Sequence, residues 1–167
     1  MKKYVLMLLF LLVVFFSTSC GFHLRGYMQD SKKIKMLILN YSDYYESLIH
    51  SLNEQLYLNN IYIVENMKVN NILSLRIISS NENQETISIL KNGKTAEYQM
   101  ILNIKAEIIF PNNHVYPLSI IIFHSFFNNS LNILSHDSEK EMIRQEMYSQ
   151  AAKKIVNILL IIYSKIT

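Results

Sequence analysis

From Gln99 to Phe110 the residues alternate. Met100, Leu102, Ile104, Ala106, Ile108 and Phe110 fall on one side of an extended chain, while Gln99, Asn103, Lys105 and Glu107 fall on the other. Successive side chains of a strand point to opposite faces, so this pattern predicts a strand with one buried and one open face. Such a strand belongs to an antiparallel sheet that is covered on one side only. The strand follows Lys91-Asn92-Gly93-Lys94, with Thr86 to Leu90 leading in. Asn-Gly is a strong signal for a two-residue hairpin, because both central residues of the favoured turn take positive φ.

The remaining segments fit around this hairpin. Ile72 to Ile78 and Lys35 to Leu39 read as strands, and Ile61 to Val64 as a brief one. Ser42-Asp43-Tyr44-Tyr45-Glu46 has capping-box spacing at Asp43 and Glu46, and Leu48, Ile49, Leu52 and Leu56 then mark one helical face that Asn59-Asn60 ends. Pro111-Asn112-Asn113-His114 is a turn. Val115 to Phe127 is a further strand, and Pro117, which lacks an N–H, argues for an edge or bulged position. Ser138 to Glu141 is a second capping box, opening a helix to about Lys165 with Met142, Ile143, Met147, Ala151, Ile155, Ile158 and Ile162 as its stripe. Ile158 to Tyr163 is apolar nearly all round and requires burial against the sheet or a partner. The expected fold is α+β: two helices packed on one face of a mostly antiparallel four-stranded sheet, a two-layer sandwich spanning residues 35–167.

The N-terminus reads as an address. Met1-Lys2-Lys3 precedes thirteen apolar residues, Tyr4 to Phe16, then Ser17-Thr18-Ser19-Cys20. Thirteen helical residues rise about 20 Å against roughly 30 Å of hydrocarbon, which is the layout of a signal peptide and not of a membrane span. Small residues before the lone Cys resemble a bacterial lipoprotein signal, although Ser17 stands where Leu is usual. That resemblance implies cleavage before Cys20, with diacylglycerol on its thiol and an acyl group on its new amine. Residues 1–19 would then be removed, and residues 20–34 would form a lipidated start and tether. Gly21, not Asp, follows Cys20, which resembles the outer-membrane sorting pattern. The competing reading is an uncleaved anchor followed by a plain buried Cys.

Composition closes several alternatives. One Cys cannot form an internal disulfide or a Cys-cluster metal site, and a formal charge of +3 is too small for an obligate nucleic-acid binder. Three glycines do not build a P-loop or dinucleotide fingerprint, and no G-x-S-x-G is present. His23, His50, His114, His124 and His136 show no metal spacing, and neither a cofactor nor a catalytic group is expected. The 24 Ile and 17 Asn, against four Ala, fit a nucleotide-composition bias, so Asn is weak evidence for loops here.

Three segments line up with one family. Cys20-Gly21-Phe22-His23-Leu24-Arg25-Gly26, Lys91 to Met100, and Phe123-His124-Ser125-Phe126-Phe127-Asn128 with Glu141 to Tyr148 together resemble the lipopolysaccharide-assembly lipoproteins, LptE, over essentially the whole chain. The resemblance implies a non-enzymatic outer-membrane lipoprotein. It would plug an LptD-type β-barrel, one to one, and help insert lipopolysaccharide into the outer leaflet. It also implies that basic residues at the outward tip touch the anionic lipid. Lys91 matches one such position, Lys94 lies on the same turn, and His136 stands where the family carries Lys in the loop before the long helix. A polar outer row, Gln99, Asn103, Lys105 and Glu107, would suit a barrel lumen, and Phe123, Phe126 and Phe127 would serve core and partner packing. From the residues alone, Lys91 and Lys94 are better read as solubilising a turn; it is the resemblance that raises Lys91 as a lipid contact. The alternative function is a lipid-tethered periplasmic module that binds a hydrophobic or anionic lipid without a barrel.

Overall fold

The computed structural model describes residue 3 and residues 34–64, 72–128 and 133–166. The chain divides into two units, Met1–Ser31 and Lys32–Thr167, and the sheet with its helices belongs to the second. The signal, Cys20 and nearly all of the tether lie outside the described residues. The element order is β1 (Met36–Asn40), a 3₁₀ turn (Asp43–Tyr45), α1 (Glu46–Leu58), β2 (Tyr62–Ile63), β3 (Ser74–Ile89), β4 (Thr95–Ile109), β5 (Val115–Phe127) and α2 (Ile133–Ile166). The five strands form one sheet in the order β2-β1-β3-β4-β5. β1 runs parallel to β2 and β3, and the other pairings are antiparallel. The expected two-layer α+β plan therefore holds, with five strands in the sheet and not four, the brief strand expected at Ile61 to Val64 being β2.

The alternation of β4 organises the core. Met100, Leu102, Ile104, Ala106 and Ile108 are all buried, with Phe110 just beyond the strand. Leu75 and Ile77 of β3 and Ile120, Ile122 and Phe126 of β5 join them. On the helical side, Leu48, Ile49, Leu52 and Leu56 of α1 are the four residues expected. On α2 the buried stripe is Ile143, Met147, Ala151, Ala152, Ile155, Val156 and Leu159. Met142, expected in that stripe, is exposed, because it sits one residue out of step with the four-residue repeat from Ile143. Of the apolar end of α2, Leu159 is fully buried, Ile158, Leu160, Ile162 and Tyr163 are partly so, and Ile161 remains exposed. The Tyr163 ring stacks with Phe110 at 6.4 Å, and Phe110 meets Tyr116 edge-on at 5.5 Å.

Several local expectations change. The helix is entered through the 3₁₀ turn, where the Tyr45 N–H donates to the Ser42 carbonyl at 3.2 Å and neither Ser42 nor Tyr45 makes a side-chain cap; the Asp43 side chain of the expected capping box lies outside the described residues. α1 ends as expected at Asn59-Asn60. Asn60 takes φ 58°, its N–H donates to the Tyr57 carbonyl, and the Ile61 N–H reaches back to Leu56, which makes a Schellman cap. β3 is one continuous strand instead of two pieces, since the polar run Ser79–Glu85 pairs with Gln99–Lys105 throughout. The register shifts between Ile77 and Ser79, and the carbonyl of the extra residue, Ile78, accepts from the Tyr45 hydroxyl at 3.3 Å. α2 begins at Ile133, so Ser138 is inside the helix and is not its cap. β5 is an edge strand, as Pro117 required.

The two faces of β4 should respond differently to substitution. Leu102→Ala should lower the unfolding free energy by about 2–5 kcal/mol, whereas Asn103→Ala should change it by less than about 0.5 kcal/mol. Urea titration of both variants checks this, and equal losses would contradict the assignment of faces.

Candidate functional site

The two hairpin turns share one backbone design. In the first, the Gly93 N–H donates to the Leu90 carbonyl at 2.9 Å and the Leu90 N–H to Lys94 at 2.8 Å; in the second, the Asn113 N–H donates to Phe110 at 2.9 Å and the Phe110 N–H to His114 at 2.9 Å. Gly93 (φ 81°) and Asn113 (φ 62°) occupy the same left-handed position. Asn92 Oδ1 accepts from the Lys94 N–H at 3.1 Å, as Asn112 Oδ1 does from His114 at 3.2 Å. Each is a three-residue turn closed by a left-handed residue, which corrects the two-residue Asn-Gly turn expected from the sequence: only Gly93, and not Asn92, has positive φ. Lys91 stands where the second turn has Pro111, a residue chosen for its φ alone. The turn therefore places no demand on a lysine.

Lys91 and Lys94 are exposed on this turn, at the far end of the β3–β4 ribbon. The ribbon is sixteen residues long in β3, or about 50 Å at 3.2–3.4 Å per residue. β1 pairs with the opposite end, Ile38 against Ser74, so the chain enters the domain away from the tip. Asn128 ties β5 to the base of the turn through its N–H to the Ala96 carbonyl at 2.9 Å and its Nδ2 to Thr95 at 3.0 Å. His136 falls in the first turn of α2 and not in a loop before it, because the helix starts earlier than the Ser138 box suggested. His50 and His114 are exposed, and His124 is half-buried on the helix side of β5. Among the described residues no group of three His, Cys, Asp or Glu stands together to hold a metal.

An ion cluster that the sequence did not reveal holds the outer half of the ribbon. Arg144 of α2 donates to both oxygens of Glu82 in β3, from Nε at 3.1 and 2.9 Å and from Nη2 at 3.0 Å, and also bonds Glu141. The hydrogen bonds it donates to Glu82, and then the Glu82 charge, hold the Arg144 guanidinium still more firmly protonated, against a burial that opposes it. Burial raises the pKa of the nearby Tyr148 hydroxyl, with the Glu82 charge adding to the effect. Glu141 thus serves Arg144 and not a helix N-terminus.

The open face is graded in polarity. Asn81, Asn83 and Glu85 line it on β3, and Arg76 pairs with Glu107 at 3.0 Å across to β4. The row Gln99, Asn103, Lys105 and Glu107 lies there as expected but is interrupted by Ile101. On β5, Ile121, Phe123 and Phe127 are exposed. Phe126 is core, 5.7 Å from the Tyr98 ring, so the three phenylalanines divide between the two faces.

This two-layer α+β domain matches one group of proteins. Residues 37–159 fit the family LptE, described as lipopolysaccharide-assembly. A protein from Yersinia enterocolitica, called LPS-assembly lipoprotein LptE, is 42% identical over 164 residues, covering 98% of this chain and 79% of that one. The protein of the same name from Pectobacterium atrosepticum is 44% identical over 151 residues, covering 90% and 82%. Rare lipoprotein B from Shewanella oneidensis shares the fold at TM-score 0.68 and 30% identity, over 74% of this chain and 92% of that one. A lipoprotein B from Nitrosomonas europaea superposes at TM-score 0.69 with 15% identity, over 87% and 94%. The chain belongs to the LptE family.

Arg144→Met should destabilise the domain by about 1–3 kcal/mol, because Glu82 keeps its charge without a partner, and replacing both residues by Leu should recover most of the loss. Chemical denaturation of the single and double variants reads this cycle. Tyr148 gives a pH test. Its folded pKa is raised, so above about pH 10 the unfolded state releases a proton that the folded state keeps, and stability falls as pH rises. Tyr148→Phe should flatten that alkaline decline.

Proposed function

We propose that this chain is an outer-membrane lipoprotein, anchored through Cys20, that plugs an LptD-type β-barrel one to one and helps deliver lipopolysaccharide to the outer leaflet. Family membership supports the role in lipopolysaccharide assembly. The observation that carries the reading of the site is the separation of tip and entry: Lys91 and Lys94 stand about 50 Å from the end at which the chain enters the domain. A bilayer with its headgroups is about 40–45 Å thick. A domain anchored in the inner leaflet and standing upright in a barrel lumen would bring its tip level with the outer leaflet. The ammonium groups there suit lipid phosphates as point charges. The domain supplies position and charge and carries out no bond-making chemistry.

Affinity-tagged chain extracted in mild detergent should bring down a large barrel protein at one to one. Recovery of the chain alone, from cells that make such a barrel, would favour the tethered binding module. Cys20→Ala should release the chain from the membrane fraction, and mass spectrometry of the N-terminal peptide should find diacylglycerol and acyl groups on the wild-type protein only. Lys91→Glu should weaken lipopolysaccharide binding by about tenfold, and unchanged affinity would remove Lys91 from the site.

A further inference from the structure

β3 runs on past its neighbour. β1 pairs only with Ser74–Arg76, and among the described residues no strand pairs with β3 on that side beyond Arg76. On the other side β4 stays in step with β3 for eight consecutive residues, Ser79 to Thr86, between the shifts at Ile78 and Ile87. The direction of each backbone group there follows from β4. Phe110 turns its N–H and carbonyl toward the β5 side, bonding His114 and Asn113. Backbone groups alternate between the two neighbours, and β4 pairs with β5 without a shift from Glu97 to Ile109. Ile104, Leu102, Met100 and Tyr98 therefore face β5 as well. Their partners in β3, Ser80, Glu82, Gln84 and Thr86, turn N–H and C=O away from β4, toward the free edge. About 25 Å of strand edge is thus unpaired. Natural edges are blunted by brevity, proline, lysine, bulges or an inward charge. β2 is two residues long, and β5 carries Pro117. Ser79–Thr86 has neither proline nor lysine, its bulges lie at its ends, and the charge of Glu82 is answered by Arg144 at 2.9 Å.

We propose that this edge takes an extended polypeptide segment of the barrel protein as a further strand beside β3. The proposal rests on the plug reading above and names one of its contacts. A row of alternating donors and acceptors is matched by another extended chain, and not by a helix or an acyl chain. Both faces of the stretch are polar, with Asn81, Asn83 and Glu85 on the open side and Ser80, Gln84 and Thr86 on the other. The added strand therefore lies in a polar lumen and does not face lipid. From Ile77 to Leu90 the ionisable side chains are Glu82 and Glu85. The β4 residues facing Glu85 are Gln99, Ile101 and Glu97, none of them a cation. The segment that fits carries a basic residue opposite Glu85. A second copy of this chain would offer the same stretch, without such a cation.

Proline at an outward N–H blocks strand addition and leaves the β4 ladder whole. Gln84→Pro should melt within a few degrees of the parent and bind lipopolysaccharide as the parent does. Tagged Gln84→Pro chain in mild detergent should retain about tenfold less barrel protein. Gln84→Ala should retain it fully, and Glu85→Lys about threefold less. A second measurement does not depend on the variant folding. In hydrogen exchange of the wild-type chain, residues 79–86 should gain protection at about four amides when the barrel is bound, those of Ser80, Glu82, Gln84 and Thr86. No gain of protection there, or a folded Gln84→Pro that keeps the barrel at the parental level, overturns the proposal and leaves the plug reading intact. Protection that appears in the chain alone as its concentration rises assigns the edge to a second copy and equally overturns it. If the wild-type chain retains no barrel protein, the plug reading falls and the proposal with it.

Discussion

The inward row of β4 is the constraint on which the rest depends. Five residues, Met100 to Ile108, are buried at every second position, and both flanking strands and both helices pack around them. Because the period of a strand is two, a slip of one residue would place Asn103, Lys105 and Glu107 against the helices. The register is thus held by the cost of burying those polar groups, and it sets where the tip stands. Along the inward row the one register shift, at Ile78, falls in β3; near the tip Ile87 of β3 and Ala96 of β4 are each left over.

How much of the fold is legible in the sequence depends on the range over which each cause acts. The α1 face and the inward row of β4 are local periodicities, and each residue read from them is buried. The place of Pro117 on an edge strand follows from its missing N–H. The polar run Ser79–Glu85 has no apolar rhythm of its own; it is a strand because β4 pairs with it. The Ser138–Glu141 spacing fits a helix interior as well as a helix start, so the true start at Ile133 was hidden. Arg144 and Glu82 meet only through tertiary packing, and no local spacing announces the pair. At the candidate site, the exposure of Lys91 and Lys94 was legible from the turn. The exposure of Ile89 and Leu90 beside them was not, because they look like ordinary strand residues until the bulges expose them.

Asparagine illustrates both sides of the composition bias. Asn60 and Asn113 take left-handed conformations, and Asn92 and Asn112 accept turn hydrogen bonds, all roles for which Asn is suited. Asn81, Asn83 and Asn103 instead sit in strands, on or beside the open face, where a polar side chain costs little. Abundance alone does not separate the two groups; the neighbouring residues do.

The sheet order also has a kinetic side. β3, β4 and β5 form a meander whose partners are joined by short turns, so the chain entropy lost in closing them is small. β1 pairs in parallel with β2, beyond α1, and with β3, beyond a longer stretch still. Among the strand pairings, its contacts with β3 are the most distant along the chain. The strand of the sheet synthesised first is therefore the one that waits longest for its place.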